Sequence, residues 1–349
     1  MTSVRQIPTR CPLCGDVRSR LVTRGADRLE RVEGEFSVVS CRSCGTWRLD
    51  PAPIPADLPK LYPTDYEAHN RLRERPTPVI PGRTHTWRRR FVEWAEAGRP
   101  SLWSLPLRRL PDHLLMRAFS RTQYGRFNPL AYPGDGRRIL DVGCGSGDLM
   151  AQFLGHGWSP VGIEPSEHAV ANAKARGLIV EQGNFPEDAG RVAEHGPFYA
   201  LVMSNVLEHL PDPALALRTA ADLLEPEGLL LLWVPVADGW QQRWTPRTWF
   251  NLDLPRHMSI CTRRGLASLL RQTGFDILAT WPGTSARAVI RTVAARYKGT
   301  PREAAVGRLE FSPWALRAVG PIIRVLDAMN QGDIEIVLAR RAKETPRPS

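Results

Sequence analysis

The sequence predicts an α/β protein, a doubly wound sheet with a small cysteine-bearing module ahead of it. Three observations carry that expectation. From Arg137 onward, short apolar runs alternate with helical stretches, the pattern of strands joined by crossover helices. One run, Ile139-Leu-Asp-Val142, feeds the loop Gly143-Cys-Gly145-Ser-Gly147, where missing Cβ atoms let a backbone approach a ligand. Two CxxC pairs, Cys11/Cys14 and Cys41/Cys44, stand near the N-terminus.

In chain order, Cys11-Pro-Leu-Cys14-Gly15 and Cys41-Arg-Ser-Cys44-Gly45 form two knuckles separated by 26 residues. Each turns a pair of thiolates toward one point, and together they make a closed four-sulfur site suited to structural zinc, in a ribbon over residues 1–50. Paired disulfides are disfavoured in a reducing compartment. Residues 51–82 are studded with proline and read as an extended connector. Residues 85–128 read as broken helix with Trp87, Trp94 and Trp103 among arginines. Strands are expected at 138–142, 160–164, 178–181, 199–204, 228–234, 275–281 and 333–339, with helices at 165–176 and 213–224 among those between them. The main domain therefore covers 136–341, with a helical insertion at 283–330 and a disordered tail at 342–349.

Composition adds bounds. At 349 residues, the chain has room for two domains or for one with a large appendage. Hydrophobic residues at 42% and charged residues at 24% exclude collagen-like or wholly disordered classes. The net charge of +11 is uneven: 1–135 carries 23 basic against 14 acidic residues, 136–282 carries 12 against 16, and 283–349 carries 12 against 6. The basic flanks suit nucleic acid, anionic membrane or phosphorylated partners without choosing among them. No apolar stretch follows Met1, and the longest run free of Asp, Glu, Lys and Arg is 15 residues. A spanning helix needs about 18 or more. The expectation is a soluble, cytoplasmic protein.

The glycine loop discriminates between ligands. It lacks the GxxxxGK[ST] of a triphosphate loop, and its third glycine falls one residue early for the GxGxxG of dinucleotide folds. Glu164 closes the next apolar run, where a carboxylate accepts from ribose hydroxyls. The combination indicates a ribose-bearing ligand without a pyrophosphate.

LDVGCGSG, with an acidic residue ending the next strand, resembles class I S-adenosylmethionine-dependent methyltransferases. The stretch Phe198-Tyr-Ala-Leu-Val-Met-Ser-Asn-Val-Leu-Glu-His-Leu-Pro-Asp-Pro213 resembles their fourth-strand motif. Leu223-Leu-Glu-Pro-Glu-Gly-Leu-Leu resembles their turn into strand five. Asp253-Leu-Pro-Arg-His-Met258, and Asp50-Pro-Ala-Pro-Ile-Pro with Leu61-Tyr-Pro-Thr-Asp-Tyr66, resemble a subgroup carrying an N-terminal zinc ribbon. The resemblance implies a Rossmann-like seven-stranded methyltransferase sheet that binds S-adenosylmethionine. Asp141, Gly143, Cys144, Gly145 and Gly147 would line the cofactor and Glu164 would hold its ribose. Asn184 and Phe185 would lie by the adenine, with Ser204 and Asn205 at the end of the fourth strand. Two positions depart from the pattern: Asn184 stands where an acidic residue often meets the adenine amine, and Tyr199 replaces an aspartate. A plain turn at Gly183-Asn184 is the other reading.

A sulfonium methyl is already electrophilic, so transfer chiefly requires in-line placement of the acceptor and exclusion of water. A hydroxyl acceptor gains from a base near neutrality, and histidine is the usual choice. His209 and His257 both fall at the expected carboxyl edge of the sheet, as base or substrate contacts or as packing residues. Trp240, Arg243, Trp244, Arg247 and Arg256 could wall a pocket for a sugar or an anion by stacking and bidentate donation, or form a lid packed on the sheet. Segments 287–298 and 314–326 place apolar residues at helical spacing among arginines, which suits peripheral membrane contact or a packed helix with a basic face.

By resemblance, the acceptor is a small molecule or a saccharide of a polysaccharide or natural product. O-methylation is preferred, since the further C-terminal domain associated with sugar C-methyltransferases has no counterpart here. An RNA methyltransferase using the basic N-terminal region is the runner-up. The missing (N/D)PP(F/Y) tetrapeptide argues against nucleic acid. A non-catalytic scaffold with a degenerate site rests on Tyr199 and Asn184 alone. The oligomeric state is not legible.

Overall fold

The computed structural model describes residues 2–29, 31–62, 134–298 and 313–343. Seven strands form one sheet: β6 (Arg138–Val142), β7 (Ser159–Glu164), β8 (Ile179–Gln182), β9 (Phe198–Ser204), β10 (Leu224–Pro235), β12 (Phe275–Gly283) and β13 (Ile334–Arg341). Their order is β12-β13-β10-β9-β6-β7-β8, with β13 antiparallel to both neighbours and the pairs from β10 to β8 parallel. This is the seven-stranded Rossmann-like methyltransferase sheet that was expected. All seven anticipated strands form, with edges displaced by a few residues.

The central strands read as unbroken apolar runs because both of their faces are buried. Successive side chains of β6, β9 and β10 alternate between two cores: Leu140, Leu201 and Leu230 lie in one, Ile139, Val202 and Leu231 in the other, all fully buried. Each such side chain contributes about 1.5–3 kcal/mol on burial. The helices α1 (Asp148–Gly155), α2 (Glu167–Ala175), α3 (Ala189–Ala193) and α4 (Pro213–Leu223) supply crossovers. Their starts are written locally. The Ser166 hydroxyl accepts from the Ala169 N–H at 3.3 Å, and the Asp212 carboxylate accepts from the Leu215 N–H at 2.8 Å, just ahead of Pro213.

The N-terminal module is an antiparallel sheet of β2 (Ser19–Gly25), β3 (Phe36–Cys41) and β4 (Trp47–Leu49), completed by β11 (Ser259–Ile260) from the main domain. Ribbon and main domain thus share a sheet and an apolar core holding Phe36, Leu49, Leu61, Trp249 and Leu252. The expectation of an extended connector from residue 51 fails for 51–62. β5 (Ala52–Pro53) pairs with β1 (Gln6–Ile7), and the 3-10 helix Pro55–Leu61 inserts Leu61 fully into that core. Pro53 is tolerated in an edge pair and Pro55 at the helix start, while Pro59 lies inside the short 3-10 helix. The remainder of the connector, the 85–128 segment with its three tryptophans and the tail from 344 lie outside the described residues.

Among the described residues between β12 and β13, two helices form. α7 (Ala286–Lys298) buries Ala288, Val289, Ile290 and Ala295, which is the packed-helix reading. α8 (Pro313–Ala328) buries Ile323 and exposes Trp314, Ile322 and Val325. Among the described residues, no helix is long and apolar enough to cross a membrane.

Candidate functional site

The glycine loop leaves β6 and curls over the start of α1. Gly143, Gly145 and Gly147 all have positive φ, at 68°, 53° and 80°. A Cβ at Gly147 would lie 2.3 Å from Leu178 Cδ1, and one at Gly143 would lie 2.7 Å from Val206 Cγ2. The glycines therefore serve both the turn and the close packing of loop on strand. Gly162 of β7 makes matching room for the buried Cys144. Glu164, at the end of β7, accepts from the Gly145 N–H and the Ser166 N–H, each at 2.9 Å, so one carboxylate braces both loop and α2. Arg176 braces the outer side, donating to the Ser146 carbonyl at 2.6 Å and to Asp148 at 2.8 Å.

Asp141 is buried, and its Oδ2 has no hydrogen-bond partner among the described residues. Burial, aided by the Glu164 charge, pushes its carboxyl up to about 8. Asn184 sits in the exposed turn after β8, its N–H held by Asp188 at 2.8 Å, while Phe185 packs inward. Asn205 follows β9 at φ 54°, donating its N–H to the Trp233 carbonyl at 2.8 Å. Ser204 and Asn205 immediately precede Val206, the side chain against Gly143, so the β9 turn and the glycine loop abut.

A second cluster lies beyond this turn. The 3-10 helix Leu207–His209 presents Glu208 and His209, and the loop before β11 presents His257. The two imidazoles meet edge to face with centroids 4.5 Å apart. His209 Nδ1 lies 3.1 Å from the Arg256 carbonyl and 3.0 Å from the Tyr62 hydroxyl. His257 Nδ1 lies 2.7 Å from the Asn251 carbonyl. Glu208 is buried, neither carboxylate oxygen has a hydrogen-bond partner among the described residues, and Oε1 is 3.9 Å from His257 Nε2. Burial pushes the Glu208 carboxyl up to about 8, while burial and then the neighbouring His209 push His257 down to about 3. His257 is thus a weak proton acceptor.

Arg256 is fully buried. Its guanidinium donates to Asp27 at 2.6 Å, to Asp253 at 3.0 and 3.1 Å, and to the Leu61 carbonyl at 3.2 Å. The expected substrate contact at Arg256 therefore gives way to a structural tie: its planar fork is spent on joining ribbon, 3-10 helix and main domain. Burial alone would raise the Asp253 carboxyl, but the charges of Arg28 and Arg256 overcome it and hold it well below the usual range. In the short helix α5 (Trp240–Trp244), Trp240 and Trp244 stack at 5.7 Å, Arg243 donates to Gln331 and the Asp238 carbonyl, and Arg247 is exposed. Sequence reasoning missed Glu208, Tyr62 and Asp27. The first was readable as half of Glu208-His209, while the others are joined to the site only by the fold.

The four ribbon cysteines converge, with Sγ–Sγ distances of 3.4 Å (Cys11–Cys44), 3.5 Å (Cys14–Cys41) and 3.7 Å (Cys14–Cys44). Zinc–sulfur bonds of about 2.3 Å in a tetrahedron imply about 3.8 Å between sulfurs. Gly15 and Gly45, at φ 71° and 75°, close the knuckles through N–H bonds to the Cys11 and Cys41 carbonyls.

Sheet order, glycine loop and paired carboxylates together define a class I S-adenosylmethionine-dependent methyltransferase domain. Comparison with known proteins agrees. A family profile described as "Methyltransferase domain" matches residues 107–280 of this chain. It is similar to a ubiquinone biosynthesis O-methyltransferase of Rhizobium etli, 36% identical over 114 residues, covering 31% of this chain and 45% of the relative. The enzyme of the same name from Neisseria meningitidis serogroup C is 27% identical over 165 residues, covering 42% of this chain and 66% of the relative. The first of these matches spans under half of the relative's own length. Among solved structures, a SAM-dependent methyltransferase from Archaeoglobus fulgidus aligns with a TM-score of 0.42 at 15% identity, covering 72% of this chain and 99% of that one.

The residues present fit the cofactor. An orphaned, buried Asp141 oxygen suits a ligand carrying positive charge, and the glycine cradle has no side chains to exclude it. A carboxylate offers about four acceptor positions, so the Glu164 group at the end of β7 is of the kind that takes ribose hydroxyls.

Proposed function

We propose that this protein transfers the methyl group of S-adenosylmethionine to an oxygen of a small-molecule or saccharide acceptor. The observation that carries the reading is Asp141: a buried carboxylate oxygen without a hydrogen-bond partner among the described residues, beside a loop opened by three positive-φ glycines. Asp141 and the loop amides would hold the amino-acid end of the cofactor, Glu164 its ribose, and Asn184 and Phe185 its base. When bound, the cofactor supplies an electrophilic methyl. The chain's own task is then to place an acceptor in line and keep water out.

Oxygen is favoured by His209, an imidazole in the turn after β9, and by the printed names of the relatives, which are O-methyltransferases. Trp240, Trp244, Arg243 and Arg247 offer stacking faces and donors for a sugar or an anionic group. The four-cysteine cluster holds a structural zinc in this reading, its positions all filled by protein.

Calorimetry with S-adenosylmethionine tests it. Wild type binds and Asp141→Ala loses binding by more than about 100-fold, the scale of an uncompensated charge–charge contact in a buried site. A folded wild type that binds neither S-adenosylmethionine nor S-adenosylhomocysteine would sink the enzyme reading and leave the scaffold one.

A further inference from the structure

We propose that Glu208, His209 and His257 form a second metal site, a divalent transition-ion centre with two imidazoles, one carboxylate and an open coordination position. A Glu208 oxygen and one nitrogen of each ring lie within 4.8 Å of one another. Bonds of about 2.0–2.2 Å in a tetrahedron would place such atoms about 3.4 Å apart, so the set closes around an ion by an ångström or so.

Three features point to an ion rather than to a self-satisfied polar cluster. A backbone carbonyl can only accept, so the bond to the Asn251 carbonyl puts the His257 proton on Nδ1. The lone pair then sits on Nε2, the nitrogen nearer Glu208. His209 Nδ1 likewise faces a main-chain carbonyl, that of Arg256 at 3.1 Å, and shares its position with the Tyr62 hydroxyl at 3.0 Å. Imidazoles fixed through Nδ1–H on main-chain carbonyls are the usual outer support of a metal-binding histidine. Second, Glu208 is 3% exposed with both oxygens lacking partners among the described residues. The His257 Nε2, at 3.9 Å, is too far for a direct hydrogen bond, which leaves room for an ion between the two groups. Third, the neighbouring cations are already matched, Arg28 by Asp253 and Arg256 by Asp27 and Asp253. Among the described residues, no neighbouring cation is therefore left over for Glu208, and a metal ligand gives up its proton on binding, so its carboxylate is available to an ion.

Two imidazoles and one carboxylate favour zinc, cobalt, manganese or iron over magnesium or calcium, which prefer all-oxygen shells. The link to catalysis rests on the methyltransferase reading above: an ion there would act as a Lewis acid on an acceptor hydroxyl.

Titration of the full-length protein with Co2+ separates the two sites by their spectra, because only the ribbon ligands give thiolate charge-transfer bands. Wild type is expected to bind two equivalents, the second adding weak visible bands without thiolate absorption. Glu208→Gln, nearly isosteric, and His257→Ala should each weaken the second equivalent by more than about 100-fold, a loss at or beyond that seen for outer-shell changes. Unchanged thiolate bands in the variants report an intact ribbon. One equivalent only in wild type, or a second equivalent held equally by both variants, overturns the site, water then being the bridging species. Calorimetry with S-adenosylmethionine on the same preparations keeps the questions apart: cofactor binding without a second ion refutes only the metal, and a second ion without cofactor binding refutes only the methyltransferase reading.

Discussion

The two halves of the sheet's carboxyl edge are built on different plans. The cofactor half comes from one stretch of chain, Asp141 to Phe185, and depends on backbone shape: three glycines at positive φ, with Glu164 and Arg176 bracing them. The other half, which takes the acceptor in the proposed reading, is gathered from Asp27, Tyr62, Glu208-His209 and Asp253–His257, and depends on buried charge. Arg256 alone spans 229 positions to Asp27 and 195 to Leu61. A local plan can be carried by a short motif, whereas a distributed one exists only once the ribbon has docked. Met258 shows this at backbone level, accepting from the Leu49 N–H at 3.1 Å while donating to the Glu208 carbonyl at 2.8 Å.

Breaking the distributed half should have the largest effect. Arg256→Met removes the partner of two buried carboxylates, a change that costs about 3–5 kcal/mol. The lower end applies, since Asp27 keeps N–H donors from Leu29, Arg31 and Val32, and Asp253 keeps Arg28. The urea midpoint should fall accordingly, while S-adenosylmethionine affinity under native conditions changes by less than about threefold. A well-folded Arg256→Met protein that fails to bind the cofactor would mean that the two halves are one cooperative unit.

The same contrast explains how much was legible. Strand positions, the glycine loop, Glu164 and the cysteine quartet were readable because each is encoded within a few residues by periodicity or fixed spacing. Arg256 was read as a pocket donor because an arginine beside His257 says nothing about an aspartate 229 residues away. Residues 51–62 were read as a linker because their prolines masked Leu61, whose burial depends on a groove formed by Phe36, Trp249 and Leu252. Glu208 was passed over because burial without a hydrogen-bond partner is a property of the fold.

The cofactor half can be sharpened through protons. With burial and Glu164 pushing Asp141 up to about 8, its carboxyl is neutral at pH 7, against an ordinary value of 3.8. A group raised in this way stabilises the ligand-free fold most at low pH, and that contribution is lost as pH climbs toward 8. A cationic ligand prefers the ionised form. Its binding therefore expels a proton, and affinity should rise by about tenfold per pH unit between pH 5 and 7, where the ligand's own amine stays charged. Calorimetry in buffers of different ionisation enthalpy measures the released proton directly. Asp141→Asn should abolish both the release and the slope; a pH-independent affinity in wild type would mean that Asp141 is ionised before the ligand arrives.

The smallest effect is expected at Tyr62, whose hydroxyl lies 3.0 Å from His209 Nδ1. Tyr62→Phe removes a single part-buried hydrogen bond, worth about 0.5–1.5 kcal/mol of stability. The Arg256 carbonyl, 3.1 Å from the same nitrogen, remains as an acceptor. The His209 proton should therefore stay on Nδ1, as nitrogen-15 chemical shifts of the ring would show. A carbonyl cannot donate, whereas a phenol can do either, so the main chain is the stricter of the two constraints. Were the proton to move to Nε2 in Tyr62→Phe, the tautomer would be set by the ribbon-side tyrosine and not by the loop that carries His257. The acceptor half would then depend on the N-terminal module for its protonation pattern as well as for its packing.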